Sequence, residues 1–232
     1  MSTILECKNL SKKYGAKKAL DHINLKLDSG KIIGLLGPNG SGKSTLMKMI
    51  NRLLTISDGQ LLIDGMSPGP KTKSLISYLP ERTYLDRNRK ICEYLNYFSD
   101  FYPDFDRSRA VSMLTKLGLS TDSRIGSLSK GTQEKVQLVL VMSRQARLYC
   151  LDEPIAGVDP ASRDYILSTI LNNYDEHATI LISTHLISDV ENILDEVIFL
   201  KDGKVLLHDS VEAIRFVKKK SVDELFREVF QC

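Results

Sequence analysis

Four cysteines are all this chain has, and they are scattered: Cys7, Cys92, Cys150 and Cys232. No two lie close and no Cys-x-x-Cys occurs, which excludes a disulfide scaffold or a zinc site and fits a reducing compartment. Long apolar runs are also missing. None approaches the roughly 20 residues of a membrane-spanning helix, and no basic-then-apolar leader opens the chain. Work at a membrane would therefore need another protein to hold it there. Charge excess is small, with 32 Lys and Arg against 29 Asp and Glu, a net +3. That bias is too weak to argue for nucleic acid or a lipid surface, and Lys218 to Lys220 reads as a short solvated face. No repeat or low-complexity segment stands out. What remains is an ordinary globular composition, 42% hydrophobic and 26% charged. The 232 residues suffice for one large domain, or one domain with a subdomain.

Against that plain background one stretch organises the chain: Gly37-Pro38-Asn39-Gly40-Ser41-Gly42-Lys43-Ser44-Thr45. It fits the phosphate-binding loop, Gly, four residues, then Gly-Lys-Ser/Thr. Lys31 to Leu36 before it suits a buried parallel strand. Thr45 to Leu54 after it predicts a helix with Leu46, Met49, Ile50, Leu53 and Leu54 on one face. Gly37, Gly40 and Gly42 let backbone approach a phosphate, and successive N–H groups form an anion nest at a positive helix end. Lys43 supplies charge to the β- and γ-phosphates, and Ser44 a hydroxyl to Mg²⁺.

In chain order, Ile4 to Leu10 and Leu20 to Leu27 read as strands, the second with Ile23, Leu25 and Leu27 on one buried face. Ser11 to Gly15 reads as a polar turn between them. Tyr14 in that turn either stacks on an adenine ring or packs at a sheet edge; spacing alone leaves both open. Ser57 to Gln60 reads as a turn and Leu61 to Ile63 as a short strand closing at Asp64-Gly65. Ser74 to Leu79 is strand-like and ends at Pro80-Glu81. Then composition shifts: seven of the sixteen Phe and Tyr residues fall between Tyr84 and Phe105. Ile91 to Phe98 and Arg109 to Leu117 suit helices, the second ended by Gly118. Residues 84–141 read as an inserted helical subdomain whose aromatics either pack a satellite core or form a docking surface. Leu128 to Thr132 precedes a largely apolar helix from Gln133 through Met142.

Leu148 to Pro154 is a hydrophobic strand ending in Asp152 and Glu153, and acids at the carboxyl end of a parallel strand sit where such sheets bind ligands. Asp152 is the candidate Mg²⁺ ligand, and Glu153 the group that orients or deprotonates a water. Thr179 to Ser183 is another buried strand, with His185 just beyond it as a candidate γ-phosphate contact. Val197 to Leu200 and Val205 to Leu207 flank an Asp-Gly hairpin. Ser221 and Glu224 fit a capping box before a stripe of Val222, Leu225, Phe226, Val229 and Phe230.

Together these motifs resemble the ATP-binding subunit of an ABC transporter, from about residue 4 to 210. The most specific element is Leu128-Ser129-Lys130-Gly131-Thr132, similar to the family's signature segment, placed before Leu151-Asp152-Glu153-Pro154. Asp159 resembles the family's D-loop aspartate, His185 its switch histidine, and Tyr14 its adenine-stacking aromatic. The resemblance implies a single α/β domain over 1–232. Its P-loop, RecA-like core would span 1–83 and 142–210, with an N-terminal antiparallel β subdomain, a helical subdomain at 84–141 and a C-terminal helical segment at 211–232. It implies MgATP held head-to-tail between one subunit's phosphate loop and its partner's signature, with Ser129 and Gly131 facing the partner's γ-phosphate. It also implies separate membrane permease subunits and a cytoplasmic place on the inner membrane face, with no nucleic acid involved. The lack of an added C-terminal regulatory domain resembles exporters more than importers.

Two positions depart from the family pattern. The signature usually reads Leu-Ser-Gly-Gly-Gln; Lys130 and Thr132 replace its first Gly and its Gln. Glu81 stands where a Gln usually touches Mg²⁺, and a carboxylate there still suits the metal. A soluble ABC-type ATPase of translation or DNA repair is the alternative, but one nucleotide domain and no sustained heptads speak against it. A GTPase would need Asn-Lys-x-Asp, which is absent.

Overall fold

The computed structural model describes residues 2–230, with only the backbone described at 160–162. Cys232 lies outside the described residues. Among the described residues nine strands build two sheets, with helices between them. An antiparallel sheet, in the order β2-β1-β4, comprises β1 (Thr3–Tyr14), β2 (Lys17–Asp28) and β4 (Asp58–Ile63). A six-stranded sheet, in the order β5-β6-β7-β3-β8-β9, holds β3 (Ile32–Leu36), β5 (Ile76–Leu79), β6 (Leu148–Asp152), β7 (Thr179–Thr184), β8 (Glu196–Lys201) and β9 (Lys204–Ser210). Its first five strands run parallel and β9 closes it antiparallel. Strands β3, β6 and β7 are buried throughout, as the unbroken apolar runs in the sequence require of strands covered on both faces.

Two apolar cores lie against this sheet. One joins it to α1 (Lys43–Ile50) and the antiparallel sheet, through Leu5, Leu27, Leu46 and Ile198. The other joins it to α3 (Ile91–Phe101), α4 (Arg107–Lys116), α5 (Lys130–Met142) and α6 (Pro160–Asn172), and to the C-terminal helices. Helix α5 touches α3 and α4 as well as β5 and α6. The C-terminal stripe behaves as its pattern predicts. In the last helix (Val222–Phe230), Val222, Leu225 and Phe230 are buried, and Ser221 and Glu224 cap each other's amides at 2.8 and 3.1 Å.

Several local expectations need correction. Ser11 to Tyr14 is strand, not turn; the hairpin turns at Gly15 and Ala16 alone. Helix α1 stops at Ile50, because Asn51 caps the Met47 carbonyl at 2.8 Å and Arg52 takes φ +54°. Leu53 is therefore 56% exposed instead of facing the core. The run from Ser74 is split. Pro70 opens a short helix α2 (Pro70–Leu75), and the strand starts only at Ile76, since Pro is pre-set for a first helical position. Asp58 to Gln60 belong to β4, and α5 begins at Lys130 rather than Gln133.

Sequence periodicity did not reveal Arg144, which fastens the aromatic-rich helices to the sheet. It is 2% exposed. Its guanidinium donates to both carboxylate oxygens of Asp104, at 3.1 and 2.9 Å, and to the carbonyls of Ile76 and Ser74 at 2.5 and 2.7 Å. It also lies 3.9 Å from the ring centre of Tyr102. Removing a buried, fully paired guanidinium strands its acceptors. Arg144→Ala is expected to lower unfolding free energy by about 3 kcal/mol or more, read by urea denaturation. Arg144→Lys should recover only part, because an ammonium neither forks nor stacks. Equal stability of all three proteins would remove Arg144 from this role.

Candidate active site

The site forms where β3, β6 and β7 end side by side. Leu36 leads into the phosphate loop, and the chain turns there because a Cβ on Gly37 would lie 2.2 Å from the Leu200 carbonyl oxygen. Gly42, at φ +114°, leaves no room for a side chain, since a Cβ there would lie 2.6 Å from the Ala19 carbonyl oxygen. Helix α1 then opens with no side-chain cap and no acid in its first turn. Its first amides are left to an outside acceptor, at the positive end of the helix. Lys43 is folded back over the loop, donating to the Gly37 and Pro38 carbonyls at 2.7 and 3.3 Å. Ser41 Oγ, buried inside the loop, has no hydrogen-bond partner. A backbone nest, a buried ammonium and an unmet hydroxyl together fit a polyphosphate.

Opposite the loop stand the acids. Asp152 is 1% exposed, and its Oδ1 accepts from Ser183 Oγ at 2.5 Å and Ser44 Oγ at 3.1 Å. Burial pushes its carboxyl above the usual range; the two hydroxyls pull it back, and the charges of Glu153 and Glu81 add to the rise. Glu153 adopts φ +52°, a left-handed conformation that is uncommon outside glycine. Its amide is fixed by the Ser183 carbonyl at 3.0 Å and hydroxyl at 3.1 Å. Its carboxylate joins two partners: Oε1 lies 3.5 Å from Lys43 Nζ, and Oε2 lies 2.9 Å from His185 Nδ1.

A cleft of about 460 Å³ runs along this edge, lined by Tyr14, Asn39, Gly40, Gly42, Lys43, Ser44, Thr45, Glu81, Glu153 and His185, with Lys17, Ala19 and Ala156. Tyr14, 48% exposed, is available to a planar ring rather than buried at a sheet edge. One hydroxyl and one buried carboxylate, Ser44 and Asp152, form a small oxygen donor set of the kind magnesium takes when phosphates and water complete its shell. Among the described residues no group of three His, Cys, Asp or Glu side chains suits a metal. These donors thus fit a metal that arrives with its nucleotide.

Eight candidates are absent from the cleft's lining: Gly37, Pro38, Ser41 and Asp152 belong to the loop or contact Ser44 behind it, whereas Ser129, Lys130, Gly131 and Asp159 lie on other segments. Ser129 caps α5, accepting from the Thr132 amide at 3.2 Å. Lys130 is exposed, 3.8 Å from Glu134. Asp159 lies beyond the cleft, its carbonyl accepting from the Arg163 amide at 3.0 Å. Sequence reasoning missed Ser183, whose only signal was its place at the end of an apolar strand just before His185. It also missed Gln137, 2% exposed, which donates to the Pro80 carbonyl at 3.4 Å and accepts from the Tyr84 amide at 3.2 Å. Gln137 links α5 to the segment carrying Glu81.

Comparison with known proteins agrees with this geometry. The family model described as ABC transporter matches residues 20–156. An uncharacterized ABC transporter ATP-binding protein of Methanocaldococcus jannaschii, MJ1023, is 32% identical over 92% of this chain and 80% of its own length. The SkfA peptide export ATP-binding protein SkfE of Bacillus subtilis is 28% identical over 88% and 87%. A solved structure described as the ATP binding subunit of an ABC transporter superposes with a TM-score of 0.88 at 29% identity, covering 98% of this chain and 99% of that one.

The raised carboxyl of Asp152 has a direct consequence. A carboxylate whose folded pKa lies above its unfolded one opposes folding at neutral pH, and that opposition fades as pH falls through the folded value. Asn at 152 keeps an oxygen for both serine hydroxyls but carries no charge. Asp152→Asn is expected to raise the nucleotide-free melting temperature by roughly 2–4 °C at pH 7, with the gain shrinking toward acid pH. The further stabilisation by ATP with magnesium should disappear. A lower melting temperature at pH 7 would contradict this account.

Proposed function

The chain belongs to the ABC transporter family, as one of its ATP-binding subunits, and we propose that it binds MgATP in the cleft between Tyr14 and Glu81. The family hydrolyses ATP to drive transport. In this reading hydrolysis takes place at a head-to-tail pair of subunits and powers a separate membrane permease, with the protein lying on the cytoplasmic face of the membrane. Among the described residues no helix is long and apolar enough to cross one. The observation that carries the proposal is the chain of contacts from Lys43 through Glu153 to His185, set beside Ser44 and Asp152.

Each residue then has a task. Amides from Gly40 to Thr45 and the Lys43 ammonium bind the phosphates, and Gly37, Pro38, Asn39 and Ser41 shape the loop that presents them. Ser44 and Asp152, with Glu81 as a third candidate ligand, would hold magnesium, which when bound would neutralise phosphate charge. Glu153 orients and deprotonates the attacking water, and His185 holds the Glu153 carboxylate on one side and reaches the γ-phosphate on the other. Tyr14 stacks on adenine. Ser129, Lys130, Gly131 and Asp159 lie outside the cleft, which suits residues that complete a partner's site: the N-terminus of α5 is offered to an anion from outside. The name of SkfE favours export as the direction and a peptide as the cargo.

The permease is expected on the aromatic-rich face. Tyr84, Tyr97 and Phe101 are 48%, 45% and 64% exposed, whereas Tyr94 and Phe98 are buried. Tyr84 and Tyr97 line a groove of about 470 Å³ together with Tyr78, Tyr102 and Arg144, and the Phe101 ring lies against Tyr97, with ring centres 4.4 Å apart. An unpartnered aromatic face of this kind supplies the anchors of an interface. Residues 84–141 act in this reading as a helical subdomain carrying one wall of the groove and the signature segment.

Two experiments test the proposal. Glu153→Gln should retain ATP binding, lose turnover by about 10²–10⁴-fold and accumulate a nucleotide-bound dimer on size-exclusion chromatography; near-normal hydrolysis would assign the base elsewhere. Replacing Tyr84, Tyr97 and Phe101 together with Ser should release the protein from membranes containing its permease, while soluble ATPase activity stays within a few-fold. Continued sedimentation with those membranes would move the docking face.

A further inference from the structure

Lys12 is charged, only 8% exposed, and used by neither the phosphate loop nor the acid cluster. It lies two residues before Tyr14 on β1, on the same face of the strand. Its Nζ donates to the Thr55 carbonyl at 2.7 Å and to Thr55 Oγ1 at 3.2 Å, and stands 5.3 Å from the centre of the Tyr14 ring. The surrounding backbone is stitched as well: the Lys13 amide donates to Ser57 Oγ and the Ser57 amide to the Ser11 carbonyl, each at 3.0 Å. Thr55 and Ser57 follow closely on α1, the helix that carries the phosphate loop. The cation is thus held by chain that continues from the phosphate cradle. Tyr14 lines the cleft, and Lys12 is not among its lining residues.

From this geometry we infer that Lys12 is a positioning residue for base recognition, gripping one face of Tyr14 so that the opposite face stacks on a purine ring. The inference rests on reading the cleft as an ATP site. A cation against one face of a phenol ring draws π-density toward itself. The far face becomes less electron-rich, and an electron-rich purine stacks on it more favourably. The tether to Thr55 also fixes the distance between ring and phosphate loop, so the hairpin tip, otherwise bounded only by Gly15 and Ala16, keeps one register against the cleft.

The test is titration calorimetry without metal, comparing ATP with inorganic tripolyphosphate, on the full chain. Lys12→Met and Lys12→Gln should each weaken ATP binding by about three- to tenfold, and Lys12→Arg, still a cation over the ring, by less than about twofold. Tripolyphosphate affinity should be unchanged in all of them, which also reports that each variant is folded. In a Tyr14→Ala background, Lys12→Met should cause no further loss. Equal loss for both ligands would make Lys12 a general charge or a tether of the fold, and undiminished loss without Tyr14 would break the link to the ring; either overturns the inference. If the unsubstituted protein binds tripolyphosphate as tightly as ATP, the base platform is absent and the inference fails while the phosphate cradle stands. If it binds neither, the nucleotide reading itself falls.

Discussion

Asp152 Oδ1 accepts two hydroxyls, from Ser44 at the start of α1 and from Ser183 at the end of β7. That oxygen ties three consecutive pieces of the sheet edge to one buried charge. A carboxylate so deeply placed is tolerable only with such donors around it, and the neighbourhood is built accordingly. Ser183 also fixes the Glu153 amide with both its hydroxyl and its carbonyl. The resulting left-handed turn directs the Glu153 carboxylate between Lys43 and His185. Buried Lys43 and the partly buried Glu153 then neutralise one another. The site is preorganised, yet it still carries excess negative charge from Asp152 and Glu81, which a metal arriving with phosphate would relieve.

The rest of the fold sets the reach of that centre. The antiparallel sheet places Tyr14 at one end of the cleft, and Lys12 and Ser57 bind its strand to the segment after α1, so aromatic platform and phosphate cradle are parts of one unit. On the other side, Gln137 joins α5 to Pro80 and Tyr84, and Arg144 joins the aromatic helices to β5 through backbone carbonyls. A load applied near Tyr84 therefore has a short physical route to the segment holding Glu81 and to α5 at Gln137. Such a route is what coupling between the proposed docking face and the nucleotide cleft requires.

Much of this was legible in the sequence. The phosphate loop, the acid pair after an apolar strand and the histidine beyond the next strand are local patterns. Their chemistry depends on residue type and spacing within a few positions, and the comparisons agree with the family they resemble. The buried strands were visible because both-sided burial demands unbroken apolar runs. The Asp-Gly hairpin and the Ser221–Glu224 cap were readable for the same local reason. Boundaries were less so. The end of α1 at Ile50 hinges on Asn51 and Arg52, and the split at Ile76 on a proline six residues earlier, signals that an apolar count passes over.

By itself, then, the sequence determined most of the elements that form, which residues are candidates for phosphate chemistry and which family they resemble. Only the tertiary structure decided that Tyr84, Tyr97 and Phe101 are exposed while Tyr94 and Phe98 are core. Only it put Ser183 under Asp152, closed Lys43 onto Glu153, set Lys12 behind Tyr14 and left Ser129 to Gly131 outside the cleft. The physical reason is separation along the chain. Ser44 and Asp152 are 108 residues apart, and Asp104 and Arg144 are 40 apart. No periodicity records a contact made when parallel strands from distant segments are laid edge to edge. Strand order, the property that brings these ends together, is set by packing across the whole sheet.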